Sequence, residues 1–129
     1  MDKKMIKIIE NDRFAALLGL QLIKIEFGYA EVKMEITDKL LNGVNIVQGG
    51  AIFTLADFAF AAASNSKGMI TVGINANISY FKSPKGRYLI AKATEQSSGR
   101  KLCSYTVDIF DENEDLIARF NATGYIKND

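Results

Sequence analysis

Val47-Gln48-Gly49-Gly50-Ala51-Ile52-Phe53-Thr54-Leu55-Ala56-Asp57-Phe58-Ala59-Phe60-Ala61-Ala62-Ala63 decides how this chain folds. From Ala51 to Ala63 only Thr54 and Asp57 are polar, so the stretch reads as a helix that must be covered on nearly every side. Asp belongs to the residue types least often buried without a partner, and Asp57 therefore needs a reason to be there. The helix begins at Gln48-Gly49-Gly50, where paired glycines let another group approach backbone N–H donors that have no acceptor inside the helix.

What lies on either side of the helix supplies its cover. Upstream, Ala30-Glu31-Val32-Lys33-Met34-Glu35-Ile36 alternates apolar and charged residues; with Leu20 to Phe27 and the turn Gly28-Tyr29 it predicts an antiparallel hairpin with one wet face. Before it, Met5, Ile8, Ile9, Ala16 and Leu17 share a helical face, predicting one N-terminal helix from Lys3 to Leu18 that stops at Gly19. Asp38 to Gln48 reads as a loop. Downstream of Gly68 four strands follow, Ile70 to Lys82, Tyr88 to Gln96, Arg100 to Phe110 and Leu116 to Ile126, joined by short turns at Ser83-Pro84-Lys85-Gly86, Ser97-Ser98-Gly99 and Asp111 to Asp115. Two strands, one apolar helix and four strands cannot be a parallel βαβ array. The expected architecture is α+β: a curved antiparallel sheet wrapped around one long central helix, with an N-terminal helix, in a single domain spanning 1–129.

Composition removes several functions. A net charge of +1 argues against nucleic-acid binding by broad basic potential. The start of the chain carries no signal-like segment and no stretch reaches the ~20 apolar residues of a membrane span, so neither nucleic acid nor membrane is an expected partner and a cytoplasmic protein is expected. The one cysteine, Cys103, reads as a small buried hydrophobe on a strand and allows no intrachain disulfide. Histidine is absent altogether, which excludes Ser-His-Asp and Cys-His catalysis and histidine zinc sites. No metal site is expected. A carboxylate is the leading candidate for base or nucleophile.

Asp57 is either that base or nucleophile, its pKa raised by apolar surroundings, or a carboxylate held at a subunit contact. Gln48-Gly49-Gly50 is either a flexible helix start or an oxyanion site in which the N–H of Gly49 or Gly50, aided by the helix dipole, binds developing negative charge. Spacing constrains the pair. Eight residues at ~1.5 Å each put Gly49 and Asp57 about 12 Å apart along one helix, too far for one small reacting group to touch both. If they serve one reaction, two chains must each contribute one of them across a two-fold axis.

Leu41-Asn42-Gly43, Gln48 to Asp57, Ala59-Phe60-Ala61 and Asn65-Ser66 together resemble the central helix of hotdog-fold acyl-CoA thioesterases, most closely the phenylacetic-acid-degradation type within the 4-hydroxybenzoyl-CoA thioesterase superfamily. Ser83-Pro84, Gly99-Arg100 and Ala118-Arg119-Phe120 follow the same plan. The resemblance implies homodimers that join their sheets edge to edge and a dimer-of-dimers tetramer. It implies hydrolysis of acyl-CoA to free acid and CoA, with Asp57 as base or nucleophile, Gly49 polarising the thioester carbonyl and Asn42 placing the carbonyl or the attacking water. No cofactor is implied, CoA being part of the substrate.

Gln48 departs from the family pattern it resembles, which usually has His there. Gln can brace a loop through hydrogen bonds but cannot titrate, and a non-catalytic module that binds or senses acyl-CoA is the alternative reading. Where a Ser or Thr sometimes assists the carboxylate in the family, on the strand after the helix, this chain has Asn75 and Asn77 on one strand face, of which Asn75 is the candidate. Gly50 is a second candidate backbone donor. Lys82, Lys85 and Arg87, together with Arg100 and Lys101, could meet CoA phosphates or be solvated surface charge. Phe53, Phe58, Phe60 and Tyr80 could line an acyl pocket or fill the core. The acyl group, and whether CoA or a carrier protein bears it, are not written in the sequence.

Overall fold

A computed structural model describes residues 2–127. Its elements in order are α1 (Lys3–Glu10), α2 (Arg13–Leu17), β1 (Gln21–Glu26), β2 (Tyr29–Glu35), a 3-10 turn at Asp38–Leu40, α3 (Gly49–Asn65), β3 (Thr71–Tyr80), β4 (Tyr88–Ser98), β5 (Leu102–Asp111) and β6 (Leu116–Ile126). The six strands form one sheet in the order β1-β2-β4-β5-β6-β3, antiparallel at every pairing. This is the sheet wrapped on a central helix that the sequence implied.

The alternation read in β2 is why the sheet has an inside. Ala30, Val32 and Met34 are completely buried, as are Leu89, Ala91 and Ala93 of β4, Val107 and Ile109 of β5 and Phe120 of β6. Small side chains at Ala30, Ala91 and Ala93 let α3 approach closely, and its Leu55, Ala56, Ala59, Ala62 and Ala63 fill the concavity with no solvent contact. Phe60 stands edge-on to Tyr105, with ring centroids 5.6 Å apart, and the absence of a side chain at Gly124 makes room for it: a Cβ there would lie 3.1 Å from its ring.

α3 is pinned at its far end by the polar pair Asn65-Ser66. Asn65 accepts from the Thr71 N–H at 2.9 Å and donates to the Thr71 carbonyl at 3.2 Å, fastening the helix to the start of β3. Ser66 accepts from the N–H of Gly28, whose φ of +75° makes the β1–β2 turn, at 2.8 Å. Thus two residues that carry the family resemblance serve as buried latches between helix and sheet.

One expectation is corrected. The single helix expected from Lys3 to Leu18 is two helices, because the Asp12 carboxylate accepts from the N–H of Ala15 at 3.0 Å and starts a second helix. Of the apolar face expected there, Met5 and Ile9 of α1 are buried, but Ile8, Ala16 and Leu17 are exposed and Ala15 is the residue of α2 that packs inward, because the break at Asp12 resets the helical phase. Gly19, at φ +73°, ends α2 as expected. The covering of α3 is also incomplete: Gly50 and Asp57 remain exposed, with Phe53, Thr54 and Ala61 half-buried between and beyond them. Asp57 therefore lies on an open stripe of the helix rather than inside a sealed core.

Candidate active site

The start of α3 is built by a hairpin-like loop. Leu41 and Val47 pair across it, and the Asn42 side-chain oxygen accepts from the N–H groups of Val44 and Ile46 at 2.9 and 3.1 Å. Asn42 thereby shapes the loop with its Oδ1, which leaves its Nδ2 donor as the part that can meet a substrate. The Gln48 N–H then donates to the Leu40 carbonyl at 2.7 Å, fixing where the helix begins.

Gln48 is the N-cap of α3. Its Oε1 accepts from the Gly50 N–H at 2.5 Å, and its backbone carbonyl accepts from Ala51 and Ile52. A long side chain can fold back this far because position 50 is glycine: a Cβ there would lie 2.6 Å from the Gln48 oxygen. The two candidate donors are thus separated. Gly50 is engaged by the cap, whereas the Gly49 N–H has no acceptor among the described residues and lies at the positive end of the helix dipole.

Tyr80, at the end of β3, holds Gly49 from the other side by donating its hydroxyl to the Gly49 carbonyl at 2.8 Å. Two clefts flank the helix start. On the β3 side a cleft of about 310 Å³ runs past Ile46, Ile52, Tyr80 and Phe81 to Lys82 and Pro84. On the opposite side a groove of about 590 Å³ lies between α2 and α3. Of the four aromatic residues expected to line an acyl pocket or fill the core, Phe58 and Phe60 are core, Phe53 lines the second groove and Tyr80 the first cleft.

Asp57 has no hydrogen-bonding or ionic partner among the described side chains. Its pKa is raised above the ordinary carboxylate value, first by partial desolvation on the helix and second by the negative charge of Asp12. A carboxylate of raised basicity suits proton abstraction near neutrality. The eight residues that separate it from Gly49 lie on one uninterrupted helix, so a single chain does not bring the two together.

The cations are dispersed. Lys82 pairs with Asp115 at 3.2 Å, and Arg87 grips Glu112 through Nε and Nη2 at 3.2 and 2.8 Å, which drives the Glu112 pKa down to about 2. The Lys85 N–H donates to Asp111, a buried carboxylate that three backbone donors hold below its usual pKa although burial alone would raise it. Arg100 and Lys101 lie in the β4–β5 turn, beside the Thr71 end of β3, whereas Lys82 follows the Tyr80 end. A ten-residue strand, about 30 Å long, separates those ends, so within one chain Arg100 does not join the Lys82 group. Asn75 is exposed on β3, just past a bulge.

Cys103 is buried, and burial raises its thiol pKa, as befits a packing residue. Among the described residues no group of three or more His, Cys, Asp or Glu could hold a metal. No helix among them is long and apolar enough to cross a membrane.

An N–H aimed out of a helix start and a carboxylate of raised basicity are what thioester hydrolysis asks for, and the sheet curled around their helix makes the class a hotdog-fold thioester hydrolase. The chain belongs to the thioesterase superfamily, which matches residues 44–118 and so includes Gln48, Gly49, Asp57 and Tyr80, and within it to the PaaI type. It is similar to the acyl-coenzyme A thioesterase PaaI of Escherichia coli, 33% identical over 117 residues that make up 90% of this chain and 84% of that one. The solved structure of E. coli PaaI superposes with a TM-score of 0.90, covering 95% of this chain and 89% of that one at 31% identity. An Archaeoglobus fulgidus putative esterase is 37% identical over 93% of this chain and 79% of its own length. The Streptococcus mutans protein smu.793, solved bound to acetyl CoA, superposes with a TM-score of 0.80 at 28% identity, covering 84% of this chain and 88% of that one.

Sequence reasoning missed Asp12 and reduced Tyr80 to one of several aromatics. Asp12 had a signal, being an N-cap type directly before a short helical run. Tyr80 had none, because its partner is 31 residues away.

Proposed function

We propose that this protein hydrolyses acyl-CoA thioesters at sites shared by two copies of the chain, each site taking Gly49 from one copy and Asp57 from the other. The observation that carries the proposal is the single Gly49 N–H left without an acceptor at a helix start whose neighbouring N–H is capped by Gln48.

The route to a dimer lies along β3. It is one of the two sheet edges, it bears no charged side chain, and every residue from Val72 to Asn77 is exposed. The other edge, β1, is shorter, irregular between Leu22 and Lys24, and carries the Lys24–Glu26 ion pair at 3.0 Å. α3 is fastened to both ends of β3, at Tyr80 through Gly49 and at Thr71 through Asn65. Two β3 edges paired antiparallel about a two-fold axis set two α3 helices antiparallel, and a register that staggers them by half their length places the start of each beside the middle of the other. The same operation brings the Arg100 turn of one copy toward the Lys82 turn of the other, a composite surface for CoA phosphates. A further pairing of dimers gives the tetramer.

In such a site the thioester carbonyl accepts from the Gly49 N–H, and the Asn42 Nδ2 and Gln48 Nε2 donors orient the carbonyl or the water. Asp57 takes a proton from water as the water oxygen bonds to the carbonyl carbon. The tetrahedral oxyanion then collapses, the C–S bond breaks, and the CoA sulfur leaves with the electron pair and is protonated to the thiol. In the alternative Asp57 itself attacks the carbonyl carbon, the C–S bond breaks and the CoA thiolate leaves to be protonated, and water then opens the mixed anhydride to the free acid and the Asp57 carboxylate. Gln48 acts as brace and cap in either route, neither of which needs a titrating group at position 48.

Incubation with aliphatic and aryl acyl-CoAs, following released thiol, tests the reading. D57N should lower kcat by a factor on the order of 10² to 10⁴. Stoichiometric acyl-CoA binding without turnover in the wild type would replace hydrolysis with a binding role.

A further inference from the structure

The start of α3 divides the space around Gly49 into two clefts, each with apolar walls and one lysine but of unequal size, about 310 Å³ on the β3 side and about 590 Å³ on the α2 side. A thioester whose carbonyl oxygen is held at the Gly49 N–H has two substituents on its carbonyl carbon, sulfur and the acyl chain, which leave in opposed directions. The cleft on the β3 side runs between Ile46, Ile52 and Phe81 out to Lys82, the turn toward which the proposed dimer brings the Arg100 turn, and so suits the phosphate-bearing arm. The groove on the α2 side is the roomier, and two phenylalanine rings, Phe14 and Phe53, stand in its wall. Its walls are Phe14, Leu18, Leu40, Leu41 and Phe53, and Gln48, Gly50 and Thr54 line it where it meets the helix start. Its one charged group is Lys39.

Resting on the thioesterase reading above, we propose that this groove holds the acyl group, and that Phe14 of α2 is the residue that sets how bulky an acyl group is accepted. α2 is a five-residue helix begun by Asp12 and ended at Gly19, and it is anchored to the body through Ala15, which is 4% exposed. Phe14 is 58% exposed, so its ring borders the groove without being locked into the core. A side chain in that position can change size without opening a cavity in the fold, whereas Phe53, packed edge-on to Phe120 at 5.3 Å, cannot. Leu17, on the same helix and 76% exposed, does not line the groove and serves as a control.

The test compares wild type, F14A, F14W and L17A against acyl-CoAs graded from acetyl through branched and aryl groups. F14A should raise kcat/KM for bulky acyl groups relative to acetyl by roughly 10-fold, F14W should lower the same ratio, and L17A should leave it unchanged. Thermal unfolding of each variant checks that the fold is intact. Phe14 variants whose kcat/KM changes equally for every acyl group would assign the groove to the CoA arm and overturn the proposal, as would no change at all. Should the wild type turn over no acyl-CoA, calorimetric binding of the corresponding non-hydrolysable thioethers decides. A dependence on acyl size that follows residue 14 sustains the groove assignment while the hydrolytic reading falls, and uniform or absent binding overturns the assignment.

Discussion

The Tyr80 hydroxyl donates to the Gly49 carbonyl at 2.8 Å, so the end of an edge strand fixes the first residue of the central helix. The N–H of Gly49 belongs to the peptide unit before the one that Tyr80 holds, and its direction depends on both ends of that residue. Burial raises the pKa of the Tyr80 phenol, keeping it a donor throughout the neutral range.

Y80F tests this contact. Removing a partly exposed neutral hydrogen bond should cost about 0.5–1.5 kcal/mol of stability. Because Gly49 loses one of its two restraints, kcat should fall roughly 3- to 10-fold while KM changes little, since a loosened oxyanion donor acts mainly on the transition state. A Y80F enzyme with wild-type kcat would remove Tyr80 from the site.

Asp12 and Asp57 make a second relationship, on the open side of α3. Asp12 caps α2, and its negative charge adds to the desolvation that raises the Asp57 pKa. A base works when ionised, so the rate should rise with pH through the Asp57 pKa, and removing the charge at position 12 should shift that acidic limb to lower pH. D12N is the suitable change because Asn caps a helix as well as Asp does. The plateau rate and the unfolding temperature should stay near wild type. An acidic limb that does not move would separate the two carboxylates.

The same shift has a consequence for stability. A carboxyl whose pKa is higher in the folded chain than in the unfolded one binds its proton more readily when folded, so folding is favoured least above the folded pKa and most below the unfolded one. D57N should therefore unfold at a slightly higher temperature than wild type near neutral pH, and that advantage should vanish as pH falls through the ordinary Asp range. Equal unfolding temperatures at both pH extremes would show that Asp57 carries no strain.

Gln48 separates capping from chemistry. Q48E keeps an oxygen for the Gly50 N–H and places a negative charge where the helix dipole favours it, so thermal stability should hold or rise slightly. The same charge lies beside the developing oxyanion, and kcat should drop by about 10- to 100-fold. Activity that survives Q48E would place the oxyanion elsewhere.

How much of this was legible in the sequence follows from how local each determinant is. The alternation Ala30-Val32-Met34, the apolar run of α3 and the stops at Gly19 and Gly28 are local, and they place the hairpin, the helix and their ends. The break at Asp12 was local too, but the apolar spacing of α1 and α2 runs almost continuously across it and hid the cap. Strand order was out of reach: β3 pairs with β6 rather than with its sequence neighbour β4, a long-range pairing that no local pattern along the chain encodes. Asp57 was legible as an anomaly and the glycine pair as a source of a donor, because both depend on residue type within one helix. Residue type and spacing left Gly49 and Gly50 open as donors and only the family resemblance favoured Gly49; what no spacing rule contains is the fold-back of the Gln48 side chain onto the Gly50 N–H.

The shared site makes a prediction that no single-chain mechanism reproduces. G49P removes the N–H while retaining a residue that the first helical position accepts, and G49A, which carries the same Cβ 3.2 Å from the Tyr80 ring but keeps the N–H, controls for crowding. G49P and D57N should each be nearly inactive as pure preparations. In a dimer of one G49P and one D57N chain, one of the two sites has an intact Gly49 from the D57N copy and an intact Asp57 from the G49P copy, and the other has neither. Unfolding and refolding the two variants together at equal concentration makes half the dimers mixed, so activity should recover to about a quarter of wild type. Two separately folded variants combined without subunit exchange should stay inactive. Recovery absent after verified mixing would confine each site to one chain and sink the two-copy mechanism.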